Sequence, residues 1–439
     1  MKDKISKQYN LPPDHFKPTE RWKVHGDIFP VLHEAADRIM ALDKDSNIFI
    51  TVDNDLDGVV SFSIWFKYLR DMGFKNVKPL MCKGKKHGIG NYQDEILSLI
   101  LKNAIDVLFI LDSSSDQESI QTVEKLSKHI DQIYIFDHHE PVVPVDHFKD
   151  QKISNVLYIN SMFYPEGEKF CTAMVMLAMC RCLDGRLWVN RSDALQELVM
   201  IAIIGDVMSL QNMYNRYVMH QALTNPVKNP LLKELMEKRP QFWNSTFFGF
   251  YVNPFLNAPI RLENNDLLSE IMRFLTVEKG KKSVCELVEE LESFNESRKS
   301  MQKDYLATFE DTHYDINLYL RQDFPEGLRG LICSDLVKKF GKPAIIIDAA
   351  GKGSCRSTNQ IDIRETIRRA GYQADGHAQA CGINLDGEKD LYRVANALEK
   401  NIAIVENPLA DKFVMDITEH EIINRSEEHT SELQSRQVI

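Results

Sequence analysis

The chain has 439 residues, of which 44% are hydrophobic and 27% are charged, as in an ordinary globular protein long enough for two or three domains. No apolar run reaches membrane-spanning length, no signal peptide opens the chain, and the scattered Cys residues form no Cys-x-x-Cys pair, so we expect a cytoplasmic protein with reduced thiols and no membrane contact. The net charge of −11 argues against non-specific polyanion binding, although a local basic lining would suffice for a nucleic-acid groove.

Residues 1–47 are predicted to form a helical leader, with an amphipathic helix over 28–42. From residue 48 to 210, apolar strands alternate with helices, which predicts a parallel sheet covered by helices on both faces. The strands are expected at 48–52, 77–81, 105–111, 132–136 and 156–159, and the helices near 58–72, 92–102, 116–129, 171–183 and 192–204.

Residues 211–325 lose this alternation and predict a mostly helical connector. Their aromatic cluster, which includes Phe242, Trp243, Phe247, Phe248 and Tyr251, could stack nucleobases, but such clusters more often pack in a core, and we favour packing.

A second, smaller α/β unit begins near residue 315, and its main part is expected at 326–410. Strands are predicted at 316–321, 344–348 and 353–356, helices at 330–340, 362–370 and 389–401, and a Gly-rich segment at 376–382. Residues 411–424 resemble the start of a further strand domain. Residues 425–439 have little apolar content and resemble a translated sequencing-adapter read-through, so we expect a non-native tail there.

Three carboxylates follow the first predicted strand, in the stretch Asp53-Asn-Asp-Leu-Asp-Gly58. Sites in open α/β sheets form at the carboxyl ends of strands. Asp53, Asp55 and Asp57 would repel each other unless a cation neutralised them, and hard divalent cations prefer oxygen ligands. The alternative is an Asp-rich turn that caps the next helix, and this stretch alone does not decide between the two.

Three later segments place Asp or His at comparable positions. Asp112 follows an apolar strand, and because Asp116 or the intervening serines could cap the next helix, Asp112 is available for another role. In Asp137-His138-His139-Glu140, one His could bind a metal while Asp137 fixes its tautomer; the alternative is a polar turn with an incidental His pair. Asp206 follows an apolar helix. Together these segments could hold two divalent ions bridged by one carboxylate, an arrangement suited to in-line displacement at phosphorus.

These motifs, D-N-D-L-D-G, I-L-D-S-S-S, D-H-H-E and G-D-V-M-S in this order, resemble the four motifs of the DHH phosphoesterase superfamily. The second unit resembles its DHH-associated domain, through the segment from Gly327 to Pro343, the strand G-S-C-R-S and the loop D-G-H-A-Q-A-C-G. Because no His precedes Asp53, the first motif is similar to that of the RecJ branch of single-strand-specific exonucleases. Enzymes of the superfamily that cleave short oligonucleotides or cyclic dinucleotides usually begin with S-H-x-x-x-D-x-D.

The resemblance implies a role for each matching position. Asp55, Asp57, Asp112, His138 and Asp206 would bind two Mn²⁺ or Mg²⁺ ions, with Asp112 as the bridge and Asp53 as a further ligand or supporting acid. Asp137, His138 and His139 form the catalytic motif, in which Asp137 would orient its neighbours and His139 would reach the scissile phosphate. The expected substrate-binding residues are Lys86, His87, Arg356, Ser357, Gly376 and His377. An Arg fork and Gly-rich backbone suit a phosphate, although an Arg paired to a surface acid and a plain Gly-rich turn are the alternative.

We therefore predict a metal-dependent exonuclease that degrades single-stranded DNA from 5′ to 3′. The choice of DNA, the direction and the identity of the metal are implied by the resemblance alone. Its expected partners are single-stranded nucleic acid and replication or repair proteins. One alternative is a phosphodiesterase for short oligonucleotides or cyclic dinucleotides. Another is an inactive nucleic-acid-binding scaffold, against which the intact ligand set argues. The expected fold is a parallel-sheet α/β domain joined by the helical connector to the smaller α/β domain.

Overall fold

The computed structural model describes residues 11–81, 88–167, 169–239, 243–278, 280–323 and 325–405. The chain divides into two compact units. The first contains the described residues up to Asn257 together with Asn265–Glu290, and the second contains Ala258–Asn264 and the described residues from Leu291 onward. The predicted further strand domain at 411–424 and the predicted tail at 425–439 lie outside the described residues.

The first unit is built on a parallel sheet, as predicted. Its strands are β1 (Asn47–Val52), β2 (Asn76–Met81), β3 (Val107–Leu111), β4 (Gln132–Asp137) and β5 (Val156–Asn160). They pair in the order β2-β1-β3-β4-β5, so the chain reverses its direction of travel across the sheet after β2. In open α/β sheets the crevice at such a reversal, beside the carboxyl ends of the strands, is where ligands bind.

Burial explains why these segments form central strands. All residues of β3 are buried, and its apolar side chains alternate between two faces that are both covered. Leu108 and Ile110 belong to a core with Ile133 and Ile135 of the neighbouring strand. On β3, Phe109 stacks on Tyr134, with ring centroids 4.7 Å apart.

Helices cover this sheet and continue beyond it. In chain order they are α1 (Val31–Ala41), α2 (Leu56–Asp71), α3 (Gln93–Leu101), α4 (Gln117–Leu126), α5 (His147–Asp150), α6 (Thr172–Leu187), α7 (Gln196–Gly205), α8 (Met213–Thr224), α9 (Pro230–Lys238), α10 (Ser245–Phe247), α11 (Asn253–Arg261), α12 (Asn265–Leu275) and α13 (Val284–Ala307). Short 3₁₀ turns lie at Glu20–Trp22, Gly26–Ile28, Ile89–Tyr92, Ser161–Phe163 and Ser192–Leu195, and a π-helical turn lies at Phe248–Val252. Among the described residues, none of the helices has the length and hydrophobicity needed to cross a membrane.

The aromatic cluster of residues 243–255 packs upon itself. Trp243 contacts Phe248 with ring centroids 4.6 Å apart, and Phe247 stacks on Tyr251 at 4.8 Å. Phe248 is fully buried. This arrangement agrees with the packing role favoured from the sequence; Phe242 lies outside the described residues.

The second unit has a mixed five-stranded sheet. Its strands are β6 (Asn317–Leu320), β7 (Ala344–Ile347), β8 (Lys352–Arg356), β10 (Gln373–His377) and β11 (Ala380–Asn384), in the order β10-β11-β8-β7-β6, and the short strands β9 (Ile361–Asp362) and β12 (Ala403–Ile404) pair separately. The helices are α14 (Arg329–Phe340), preceded by a 3₁₀ turn at Glu326–Leu328, α15 (Ile363–Arg369) and α16 (Leu391–Lys400). Ile345 and Ile347 pack into one core and Ala344 and Ile346 into another, so this sheet is also covered on both faces. The predicted Gly-rich segment forms the hairpin between β10 and β11.

Candidate metal centre

Acidic residues and a histidine follow three adjacent strands of the first sheet. Asp53 comes directly after β1, Asp112 directly after β3 and His138 directly after β4. Asp57 lies in the first turn of α2, and Asp206 caps the end of α7. Because parallel strands end at one edge of a sheet, these residues converge at the point where the strand order reverses.

The structure brings all six predicted metal ligands together. Ligand atoms within each of three groups lie within 4.8 Å of one another, and the groups are Asp57–His138–Asp206, Asp112–His138–His139 and Asp53–Asp55–Asp112. Asp112 and His138 each belong to two groups. The three groups therefore form one continuous cluster, in which Asp112 and His138 link the group of Asp57 and Asp206 to the group of Asp53 and Asp55.

His138 stands at the centre of the cluster, and its side chain is only 7% exposed. Its Nε2 lies 3.4 Å from Asp112 Oδ1, 3.5 Å from Asp206 Oδ2 and 3.8 Å from Asp57 Oδ2. One ring nitrogen thus faces three carboxyl groups from three different segments.

Two helix starts fix the carboxylates of the first motif. Asp55 caps α2 by accepting the Gly58 N–H at 3.0 Å, so this helix begins at Leu56, two residues before the predicted start. Asp57 is fully buried, and its two oxygens accept the N–H groups of Thr172 at 2.6 Å and Ala173 at 2.9 Å, in the first turn of α6. Gly58 permits close packing here, because a Cβ at this position would lie 2.6 Å from the Cβ of Asp53.

The electrostatics of the cluster favour a bound cation. Burial, together with the negative charge of Asp55, raises the pKa of Asp57 to about 6. Burial and the charge of Asp57 likewise raise the pKa values of Asp112 and Asp206 well above the ordinary value. Asp112 Oδ2 is buried without a hydrogen-bond partner among the described residues. Carboxylate oxygens with one imidazole are a donor set that suits Mn²⁺ or Mg²⁺, and a divalent ion would relieve this repulsion.

Asp137 orients the ring of His139, whereas the sequence suggested that it would fix the tautomer of the metal-binding histidine. Its Oδ1 pairs with the ring Nδ1 of His139 at 2.7 Å, whereas its hydrogen bond with His138 comes from the backbone N–H at 2.8 Å. Burial alone would raise the pKa of Asp137, but the nearby charge of His139 and the hydrogen bonds hold it below the ordinary value. The carboxylate therefore fixes the ring of His139, while the ring of His138 points into the ligand cluster.

Three supporting residues were not found from the sequence. Thr172 contacts Asp57 and, through its hydroxyl, Asp112 Oδ1 at 3.0 Å. Ser115 donates to Asp137 and accepts hydrogen bonds from Tyr158 and Asn160. Asn160 lies at the end of β5, just as acidic residues lie at the ends of other strands, so its position could have indicated a place in the site. Thr172 and Ser115 gave no such indication, because their stretches are typical of a helix start and a polar turn.

Two of the predicted substrate residues of the second unit fall in one row of its sheet. Ala380 of β11 lies directly opposite both His377 of β10 and Arg356 of β8. Directly opposite residues point to the same face, so Arg356 and His377 flank Ala380 at a separation of about 10 Å. Gly330 makes room for the guanidinium, because a Cβ there would lie 2.8 Å from Arg356 Nη2.

The remaining predicted substrate residues are less directly placed. Gly376 has a φ of +121°, and a Cβ there would lie 2.9 Å from the Ala380 carbonyl oxygen, so this position requires Gly. The Ser357 hydroxyl donates to the Ile361 carbonyl at 2.9 Å. Arg364 donates to the Gly376 carbonyl at 3.0 Å and thereby supports β10. Lys86 and His87 lie outside the described residues.

Comparison with known proteins agrees with both units. Residues 47–203 match the model of the DHH family, N-terminal domain, and residues 316–404 match that of the DHHA1 domain, together more than half of the chain. The chain is 26% identical to a putative SPbeta prophage-derived single-strand DNA-specific exonuclease, YorK, of Bacillus subtilis, over 86% of this chain and 70% of that protein. It is 25% identical to the single-stranded-DNA-specific exonuclease RecJ of Haemophilus influenzae, over 80% and 65% of the respective chains.

A solved structure shows the same fold. The crystal structure of RecJ in complex with Mn²⁺ from Thermus thermophilus has a TM-score of 0.70 and 22% sequence identity to this chain. The match covers 84% of this chain and 54% of that one, so this chain spans about half of the Thermus protein.

Proposed function

We propose that this chain, which belongs to the DHH family and is homologous to the RecJ and YorK single-strand-specific exonucleases, is a metal-dependent exonuclease of single-stranded DNA. The observation that carries the proposal is the convergence of Asp53, Asp55, Asp57, Asp112, His138 and Asp206 at one sheet edge, in overlapping groups. An intact and buried ligand set of this kind supports an enzyme over an inactive scaffold.

The chain's own residues divide the work of the site. Asp57, His138 and Asp206 would hold one Mn²⁺ or Mg²⁺ ion and Asp53, Asp55 and Asp112 the other, with Asp112 close to both groups. When bound, such a pair of ions supplies Lewis-acid activation of water and charge stabilisation for in-line displacement at phosphorus.

His139 is the residue proposed to contact the scissile phosphate. Its side chain is 38% exposed, whereas that of His138 is almost fully buried. The buried carboxylate of Asp137 beside Nδ1 holds the ring in place, and the other ring nitrogen can form a hydrogen bond with a phosphate oxygen. Asp137 therefore prepares His139 for an anionic substrate.

The second unit is proposed to bind the end of the strand. Arg356 and His377, in one row of the sheet, would hold the terminal phosphate, and Ser357 and Gly376 would contact the adjoining backbone. Lys86 and His87 are proposed to contact the strand. The proposal also includes 5′-to-3′ direction, a cytoplasmic location and partners among replication or repair proteins.

Substrate choice tests the proposal. The protein is incubated with Mn²⁺ and with single-stranded DNA labelled at its 5′ or its 3′ end, duplex DNA, dinucleotides and cyclic di-AMP, and Asp112→Asn serves as the inactive control. Release of mononucleotides from single strands, with early loss of a 5′ label, is expected. Turnover of dinucleotides or cyclic di-AMP alone would replace the exonuclease with a small-substrate phosphodiesterase. Strand binding without any turnover would favour the scaffold.

A further inference from the structure

We infer that Thr172 is a positioning residue of the metal centre, and this inference rests on the function proposed above. Thr172 is the first residue of α6 and is fully buried. Its backbone N–H donates to Asp57 Oδ2 at 2.6 Å, and its hydroxyl donates to Asp112 Oδ1 at 3.0 Å. One residue thus holds two proposed ligands that follow different strands.

The two contacts of Thr172 depend on different parts of the residue. Asp57 is held by main-chain N–H groups, since Ala173 donates to its second oxygen at 2.9 Å, and the positive end of α6 stabilises the ionised carboxyl. Replacing Thr172 by Val, Ser or Ala leaves that N–H in place. The contact with Asp112 comes from the hydroxyl, so substitution can remove it selectively.

The hydroxyl fixes one oxygen of Asp112 and leaves the other open. It donates to Oδ1 and occupies one lone pair of that oxygen. Oδ2, buried without a hydrogen-bond partner among the described residues, is then available to an ion.

This geometry assigns Thr172 a role in cation affinity rather than in strand binding. Thr172→Val removes the hydroxyl at nearly constant shape, and we expect the Kd for Mn²⁺ to weaken about 10–100-fold, as for other residues that support metal ligands. Thr172→Ser keeps the donor and should bind Mn²⁺ like the unsubstituted protein. Thr276→Val is the matched control, because this buried hydroxyl donates to the Met272 carbonyl in α12.

Isothermal titration calorimetry with Mn²⁺ alone measures the Kd without nucleic acid. Nuclease assays then follow the Mn²⁺ concentration that gives half-maximal rate. For Thr172→Val this concentration should rise by the same factor as the Kd, with kcat restored at excess Mn²⁺ and an unchanged KM for the strand. If circular dichroism shows that this variant is unfolded, Thr172→Ala against Thr172→Ser makes the same comparison.

The outcomes separate this inference from the proposed function. Equal Mn²⁺ affinities of the Val and Ser variants in an active exonuclease would overturn the role of Thr172 alone. Weakened affinity in the Val variant of a protein that degrades no DNA would keep the role and reject the exonuclease. If the unsubstituted protein bound no Mn²⁺, the metal centre and this inference would both be wrong.

Discussion

In the absence of divalent metal, the carboxyl of Asp57 should make the first unit less stable as the pH rises from about 4 to about 7, whereas His15, whose pKa burial lowers to about 4, contributes in the opposite direction. Because the pKa of Asp57 is raised from 3.8 to about 6, the folded unit binds this proton more tightly than the unfolded chain does. The stabilisation is fully present below pH 3.8 and is lost as the pH rises through about 6, which corresponds to about 3 kcal/mol. The pKa values of Asp112 and Asp206 are raised by burial in the same direction, so the loss should continue at higher pH.

Tryptophan fluorescence can follow this unit by itself. The chain has four Trp residues, and all of them, Trp22, Trp65, Trp188 and Trp243, belong to the first unit. Urea unfolding in metal-free buffer at about pH 4, 5, 6 and 7 gives the free energy of unfolding. Saturating Mn²⁺ should abolish the fall, because the ion favours ionised carboxylates.

The Asp57→Asn variant removes this carboxyl and also its charge, which raises the pKa values of Asp112 and Asp206. Asn cannot ionise, so at least about 3 kcal/mol of the fall due to these carboxyls should disappear, and comparing slopes excludes any constant cost of the substitution. Asp137 does not interfere, because its pKa is lowered and its contribution changes only at more acidic pH. A metal-free Asp57→Asn variant whose stability changed with pH in the same way as that of the unsubstituted protein would refute the reasoning, because the contribution of His15 is present in both proteins and cancels in this comparison.

Four further substitutions test three separate parts of the structure. Asp112→Asn should keep the fold, as measured by circular dichroism, because Asn tolerates the left-handed φ of +62° at this position. It should lower kcat by more than 100-fold, since about 100-fold is the upper limit for a residue that only supports a ligand. Retained activity would contradict the role of Asp112 as a ligand. Val207→Gly should raise the free energy of unfolding by about 0.5–1 kcal/mol, because Val207 has a φ of +53°, which costs about 1–2 kcal/mol that the entropy of Gly only partly offsets. Urea unfolding measures this change, and an unchanged midpoint would count against strain there. Arg356→Ala should reduce the preference for a 5′-phosphorylated over a 5′-hydroxyl strand about 10–100-fold, because it removes the proposed phosphate donor. Gly330→Ala should reduce this preference in part, because the added Cβ displaces the same guanidinium. Competition assays that show neither effect would place the terminal phosphate elsewhere.

The sequence predicted the first sheet well because its strands carry an unambiguous signal. Both faces of β1 and β3 are covered, so these strands read as continuous apolar runs between polar turns. Three of the proposed ligands, Asp53, Asp112 and His138, could be found for the same reason: a polar residue that follows such a strand must lie at one edge of the sheet. Helix starts were less certain, since the cap by Asp55 moves the beginning of α2 to Leu56.

Contacts between distant segments could not be read from the sequence. Thr172 and Asp112 are 60 positions apart, and the hydrogen bond between them depends on how α6 packs against the sheet. Similarly, His138 and His139 are adjacent, and only the turn after β4 decides which ring folds back onto Asp137. Local patterns predict which residues reach the edge, whereas packing decides which partner each one meets.

The turn after β3 connects the two halves of the proposed site. Asp112 and Ser114 both have positive φ, at +62° and +82°, and each such residue costs about 1–3 kcal/mol when it is not Gly. The Asp112 N–H donates to the Phe136 carbonyl at 2.8 Å, which continues the pairing of β3 with β4. Ser115, at the end of the same turn, donates to Asp137. The strained backbone therefore presents a proposed metal ligand and supports the carboxylate that orients His139, so substitutions that relax this turn should disturb metal binding and phosphate contact together.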